Sequence, residues 1–502
     1  MSLAILLSRS LSGLDAPLVR VETHLGVGLP AFHVVGLADA EVRESRERVR
    51  AAILSSGLKF PSGRLTVNLS PADLPKESGR FDLPIALGVL LVSGQVQVVD
   101  PEALPTLVLA GELSLTGALV PTRGAVALGL AVARTQPNAV LILPLCNAKE
   151  VACIPDLSVL GASSLNDVVG HLNGYSVLTP IIHKEEREPS KQQPCLSDVR
   201  GQMLARRAIE VAAAGGHSVL LSGSPGVGKS MLAKRLPGLL PPLSNQEALE
   251  IAALFNYAGI DAGISRERPI RSPHHTASVA AVIGGGIRPI PGEISLSHHG
   301  VLFLDELPEF DRRVREALRE PLENGVVNIT RARGKCQFPA RFQLIATMNP
   351  CPCGWRGHAT RVCRCSELQV QRYQMRVSGP LLDRIDLKVN MGHDAKCLTR
   401  SDGLETSSDV ASRVRMARDI QTGRQLCLNA HLADAMIDRS CPLDDGAKLL
   451  LVSLIEKYGL SARTIQRVRR VARTCADLAG SEAISRVHLS ESYRYLGVEP
   501  LQ

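Results

Sequence analysis

A chain of 502 residues, 45% hydrophobic and 21% charged, has the length for two to four domains and the composition of an ordinary globular protein. It contains no uninterrupted apolar run of the roughly 18 residues a membrane-spanning helix needs, so no such helix is expected. The net charge of +8 mildly favours an anionic partner, but many soluble enzymes share it and it decides nothing alone.

The opening MSLAILLSRSLSG has no basic segment before its apolar run, and strand-like stretches follow. This argues against a signal peptide and for a cytoplasmic protein. Residues 1–183 alternate short apolar runs with Gly/Pro turns: FHVVGL, RLTVNLSP, TLVLAGELSL and AVLILP read as strands. One or two helices are expected among them, including the amphipathic EVRESRERVRAAILSSG closed by Gly57. The reading is an α/β or α+β domain, with a core of Leu, Val, Ile and Ala because aromatics are only 3% of the chain. Residues 184–195 are polar, of mixed charge and without period, and read as a linker. Residues 196–390 run strand, glycine loop, helix, strand, as a parallel α/β sheet requires. From 391 to 502 the chain turns helical and polar, predicting a small α-helical lid whose helices include SSDVASRVRMARDIQTGRQ and SARTIQRVRRVARTCADLAG.

The strongest motif is HSVLLSGSPGVGKSMLAKRL. A buried strand, Val219 to Leu221, enters a loop of Gly223, Ser224, Pro225, Gly226, Val227 and Gly228, and a helix starts near Lys229. Such a loop turns backbone N–H groups onto phosphates at a helix N-terminus. Lys229 would contact the β- and γ-phosphates, and Ser230 would give an oxygen to Mg²⁺. In GVLFLDELPEF four apolar residues form a strand ending at Asp305 and Glu306. Asp305 can hold the Mg²⁺ shell and Glu306 can polarise an attacking water. RFQLIATMNP makes a third strand, and its Asn349 either orients that water or serves an Asn-Pro turn.

These strands in this order resemble the AAA+ class of ATPases. The resemblance implies ATP as cofactor, Asn349 as the sensor 1 residue, and Arg384 in SGPLLDRIDL as a finger acting on a neighbouring subunit's ATP. It also implies Arg463 as a sensor 2 arginine, the alternative being a surface arginine, and a homo-hexameric ring. RSPHHTASVAAVIGGGIRPIPGEISLSHHG and ALREPLENGVVNITRARGKCQFPARF narrow the likeness to the magnesium-chelatase-like branch. Across nearly the whole chain, with FHVVGLADAEVRESRERVRAA, LPKESGRFDLPIALG and DVRGQ included, the sequence resembles the YifB/ComM family of competence-associated branch-migration helicases. The N-terminal domain resembles the Lon-protease-like (S5-like) fold. Arg80, Phe81 and Asp82 fall where a Lon-type serine belongs, with Ser78 near but out of place, and the lysine region has no lysine. A non-catalytic platform is expected. Arg43, Arg46, Arg48 and Arg50 alternate with Glu41, Glu44 and Glu47, and read as a salt-bridged solvated face rather than a DNA surface.

NITRARGKCQFPARF predicts a hairpin turning at Arg333-Gly334, with Arg331, Arg333 and Lys335 at its tip. In the branch it resembles, that hairpin enters the ring pore, where these cations would meet single-stranded or branched DNA without reading sequence. The stretch from His274 to Pro291 resembles the accompanying insertion. His274, His275, His298 and His299 are expected to be structural or near phosphate rather than metal ligands. Two Cys-x-Cys pairs nine residues apart, Cys351 with Cys353 and Cys363 with Cys365, suggest a structural Zn²⁺ between the sensor 1 strand and the finger helix. Five lid arginines, Arg463, Arg467, Arg469, Arg470 and Arg473, spread over more than one helical face and cannot be divided by spacing.

The expected function is an ATP-dependent DNA branch-migration helicase supporting recombination, with recombination proteins as further partners. A chelatase-type protein remodeller and a nucleotide-dependent regulator are the alternatives.

Overall fold

The computed structural model describes residues 3–11, 14–36, 40–72, 74, 76, 79–182, 194–260, 263–286, 289–331, 334–358, 360–392 and 405–497. Ser78, residues 184–193 of the expected linker, Arg333, and the side chains of Arg43, Arg331 and Lys335 lie outside the description. The chain forms two compact units, residues 1–188 with 245–265, and 189–244 with 266–502. Among the described residues, no helix is long and apolar enough to cross a membrane.

The first unit is built on seven strands in the order Ala31–Val35, Arg64–Ser70, Leu18–Gly26, Leu3–Arg9, Leu107–Leu109, Val140–Pro144, Ser158–Ala162. Leu18–Gly26 pairs antiparallel with both of its neighbours, and the other four pairs are parallel. Alternation decides which face is buried: in RLTVNLS the side chains of Leu65, Val67 and Leu69 are fully buried. The amphipathic helix spans Ala40–Ser55, as its spacing predicts. There are more helices than the one or two expected. Asp82–Val92, Ala125–Thr135, Leu145–Val151 and Leu165–Leu172 are all helical. DLPIALGVLLV is buried almost all round and therefore lacks the polar face by which an amphipathic helix is recognised. Helix Asn245–Ala258 lies in sequence beyond the glycine loop, yet its Leu249, Ala252 and Ala253 join the core formed by Val126, Leu128 and Leu141 of this first unit.

One expectation here needs correction. Arg48 does not sit on a solvated face: its guanidinium grips the buried carboxylate of Asp82, with Nε to Oδ2 at 2.8 Å and Nη2 to Oδ1 at 3.2 Å. The N–H of Leu113 donates to the same carboxylate at 3.2 Å. Burial nevertheless pushes the Asp82 carboxyl up to about 6, against the pull of Arg48. Arg80, Phe81 and Asp82, at the position a serine nucleophile would occupy, are all buried.

The second unit carries a five-stranded, all-parallel sheet in the order Ile270–Arg271, Val301–Leu304, Gln343–Met348, Val219–Gly223, Leu387–Met391. VLFL and LIA are buried throughout, as strands covered on both faces must be. Three of the strands carry the predicted motifs, so their carboxyl ends bring the glycine loop, Asp305–Glu306 and Asn349 to one edge of the sheet. C-terminal helices Ser407–Gln425, Asp445–Tyr458, Ala462–Leu478 and Arg486–Arg494 follow. The last three share a core of Leu454, Val468, Ala472 and Leu489. Ser461 caps the third by accepting from Thr464 N–H at 3.3 Å.

Candidate functional site

The glycine loop and the two neighbouring strand ends enclose an open cleft of about 340 Å³, lined by Pro225, Gly226, Gly228, Lys229, Ser230, Asp305, Glu306, Thr347 and Asn349 among others. Gly228 has φ 93° and precedes the helix Lys229–Ala233, a turn that a side chain would resist. That helix is short, and passes into a 3₁₀ turn at Leu236–Leu239.

Lys229 Nζ donates to the carbonyls of Gly223 at 2.6 Å and Ser224 at 3.0 Å, and to Asn349 Oδ1 at 3.1 Å. Burial lowers its pKa, while Asp305 and Glu306 pull it up. The ammonium is thus held at the point where phosphate oxygens would meet it. Ser230 Oγ lies 3.2 and 3.0 Å from the two oxygens of Asp305. A hydroxyl and a carboxylate facing one another at the start of a P-loop helix form the donor set that suits Mg²⁺. Glu306 has φ 55°, in the left-handed region, a backbone conformation that non-glycine residues rarely adopt and that marks functional sites.

Thr347 was not singled out by the sequence. It is fully buried on the Asn349 strand, its Oγ1 donates to Asp305 Oδ1 and it accepts the N–H of Glu306 at 3.0 Å. One hydroxyl therefore fixes both acidic residues. Its signal is the period of two that places Thr347 and Asn349 on one side of a strand.

The two candidate arginines lie away from this cleft's lining and beside each other. Arg384 pairs with Glu323 through Nη2 and Nε, and Arg463 Nη2 reaches the other Glu323 oxygen at 3.2 Å. The remaining lid arginines are committed inside the unit. Arg467 donates to the carbonyls of Asp383 and Ile385, and Arg473 to Asp477 at 3.0 Å. Arg469 pairs with Asp438 and Arg470 with Asp434.

The hairpin is present as Val326–Arg331 paired with Gly334–Pro339, and its inner face buries Ile329 and Phe338. Arg331 pairs with Gly334, so Gly334 belongs to the second strand rather than to the turn, a shift of one residue from the expectation. In the stretch from His274 to Pro291, a helix covers Val279–Ile283, and Gly284–Gly285 pairs with Ile290–Pro291. His298 is buried and accepts the N–H of Arg341 at 3.0 Å, a structural role.

The sulfurs of Cys351, Cys353 and Cys363 stand 3.4 to 3.6 Å apart, and Cys365 joins them, all four within 4.8 Å of one another. These separations are far beyond a disulfide. They approach the roughly 3.8 Å edge of a tetrahedron with sulfurs at about 2.3 Å from zinc. The donor set fits Zn²⁺.

Residues 195–397 match the family described as magnesium chelatase, subunit ChlI, residues 21–147 that described as subunit ChlI of Mg-chelatase, and residues 404–495 the ChlI C-terminal region. An uncharacterized protein YifB of Salmonella typhimurium is 45% identical over 100% of this chain and 98% of its own. The competence protein ComM of Haemophilus influenzae is 44% identical over 99% of this chain and 97% of its own. The chain belongs to the YifB/ComM family. It is thereby a member of the magnesium-chelatase-like AAA+ group, for which ATP and Mg²⁺ are the expected occupants of the cleft. A magnesium-chelatase 67 kDa subunit of Heliobacterium mobile is a more distant relative, 25% identical over 32% of this chain and 29% of its own.

Within this YifB/ComM chain, Thr347→Val should cut ATP turnover by roughly ten-fold or more, the loss of a hydrogen bond to a charged group. Nucleotide affinity should change only a few-fold, because Lys229 and Ser230 are untouched. Steady-state phosphate release beside ADP binding checks this. Unchanged turnover would remove Thr347 from the site.

Proposed function

We propose that this chain is an ATP-hydrolysing motor that assembles as a homo-hexamer and migrates branched DNA, supporting homologous recombination and the integration of DNA in natural transformation. The observation that carries the reading is the end-to-end similarity to a relative named as a competence protein. The acidic and polar set at the cleft supports it, since a passive nucleotide switch has no use for Asp305, Glu306 and Asn349 there together with an arginine such as Arg384 held ready outside it. In this reading Lys229 binds the phosphates, Ser230 and Asp305 hold Mg²⁺, Glu306 and Asn349 orient the water, and Arg384 with Arg463 serves a neighbour's ATP. Bound there, Mg²⁺ offsets the charge that develops on the transferring phosphoryl group. The cysteine cluster holds a structural Zn²⁺, residues 1–183 form a non-catalytic platform, and residues 391–502 form the lid.

A labelled four-way junction incubated with protein, Mg²⁺ and ATP tests the motor. Migration by wild type and none by Lys229→Ala is the expected result. The likeness to a chelatase subunit favours one competing reading, a remodeller of a partner protein. No migration, with ATPase indifferent to DNA but raised by a protein partner, would establish that reading instead.

The hairpin cations are the DNA contacts in this scheme. Replacing Arg331, Arg333 and Lys335 together by alanine should bring DNA-stimulated ATPase down to the DNA-free rate. It should also flatten the salt dependence of DNA binding by roughly two units of slope, about 0.7 for each lost phosphate contact. Stimulation that survives the triple change would remove the hairpin from the DNA path.

A further inference from the structure

The cysteine loop begins two residues after Asn349 and returns over the nucleotide cleft at Gly354. A methyl group built on Gly354 would stand 2.7 Å from two ring carbons of Pro225 and 3.9 Å from the side-chain carbon of Asn349. Gly354 is buried and has φ 80°, so both the close approach and the backbone conformation call for glycine. On the far side of the cluster, helix Glu367–Gln374 starts two residues after Cys365 and holds the same strand end. The hydroxyl of Tyr373 bonds the backbone of Asn349, and Gln374 Nε2 donates to the Pro350 carbonyl at 3.2 Å. Asn349 in turn accepts from Lys229. The four sulfurs thus stand at the root of three contacts, each made on the cleft or on the strand end that borders it.

Other forces on this loop are weak. Arg356 pairs with Glu367 at 2.6 Å, but both side chains are largely exposed. Arg361 stacks over Trp355 at 4.2 Å, also at the surface. Thiols attract one another only through weak S–H···S contacts of the kind seen at 3.4 to 3.6 Å, whereas a shared cation would bind all four strongly.

We propose that Cys351, Cys353, Cys363 and Cys365 bind a zinc ion whose occupancy sets nucleotide affinity, by seating Gly354 against Pro225 and Asn349 against Lys229. The proposal rests on the cleft being a nucleotide site and is independent of DNA. The ion does not touch the nucleotide. It positions Pro225 and Asn349, which line the cleft, and through Asn349 it positions Lys229, so its loss registers as weaker binding rather than as lost chemistry alone.

The experiment uses the full chain. Bound metal is measured first, and a fluorescent ADP analogue is then titrated before zinc removal by a chelator, after it, and after zinc alone is returned. One zinc per chain is expected, with affinity roughly ten-fold weaker on removal and restored on return, in the range that supporting contacts confer. Gly354→Ala keeps all four ligands and its zinc, and should bind the analogue roughly ten-fold more weakly, as forcing an L residue into the left-handed region against Pro225 implies. Iron or no metal in place of zinc would overturn the proposal. So would unchanged ADP affinity after zinc loss from a chain that still melts cooperatively, or wild-type affinity in Gly354→Ala. If zinc removal unfolds the chain, Gly354→Ala decides alone. Zinc-loaded wild type that fails to bind ADP sinks the nucleotide reading itself, and this proposal with it.

Discussion

A Glu306→Gln chain should bind ATP normally and turn it over at least about 100-fold more slowly, the low end of what a positioned general base contributes. Glutamine keeps the size of the side chain and can keep the left-handed backbone turn, whose N–H is held by Thr347. It cannot accept a proton from water. Lys229, Ser230 and Asp305 remain in place, so the variant should collect in an ATP-bound assembly. Light scattering with Mg²⁺-ATP should report that assembly while phosphate release is nearly abolished. Lys229→Ala should differ in kind, losing the ammonium that faces Asn349 and the loop carbonyls, and with it nucleotide affinity. Wild-type turnover by Glu306→Gln would take the base assignment away from Glu306 and leave Asn349 as the nearest polar candidate for orienting water.

What the sequence revealed of this site follows from where chemistry and periodicity coincide. The glycine loop leading to Lys229, the Asp305–Glu306 pair and Asn349 each follow the end of a short apolar strand, and a parallel sheet must bring such ends to one edge, so local motifs were enough to assemble the cleft. Thr347 was missed because a buried threonine in a strand looks like any β-branched core residue; only pairing with the Asp305 strand gives its hydroxyl a purpose. Glu323 was missed for a different reason. It lies 61 residues from Arg384 and 140 from Arg463, and nothing local marks a glutamate on a short helix as the anchor of both. Helix Asn245–Ala258 shows the same limit at the scale of the fold, since contiguity in sequence gives no hint that it packs with Val126 and Leu141. Arg48 exposes a limit of pattern alone: alternating charges describe a solvated helix until a buried partner such as Asp82 is known. The cysteine spacing pointed to a four-thiol cluster of the kind that suits a metal, whereas the seat of Gly354 on Pro225 depends on a backbone turn that spacing does not encode.

Arg384→Ala should lower ATP turnover by roughly 10³-fold, the lower end of an arginine finger's worth, with nucleotide binding by the variant's own cleft retained. The Arg384 side chain is only 12% exposed and its guanidinium is anchored to Glu323 in its own chain, so it is presented rather than free to swing. Because it lies outside the lining of its own cleft, the reading of a finger acting between subunits makes a sharper claim than loss of activity. Arg384→Ala supplies an intact P-loop and Lys229→Ala supplies an intact finger. Mixing the two inactive proteins should therefore recover ATPase activity, in proportion to the frequency of interfaces that pair one of each. Arg463 shares Glu323 with Arg384, so Arg463→Ala should complement Lys229→Ala in the same way. No recovery in mixtures shown to co-assemble would mean that Arg384 acts on its own subunit or only braces Glu323. Glu323→Gln separates those two cases: a brace would lose thermal stability when the ion pair is weakened, whereas a finger would lose turnover while the chain melts as before.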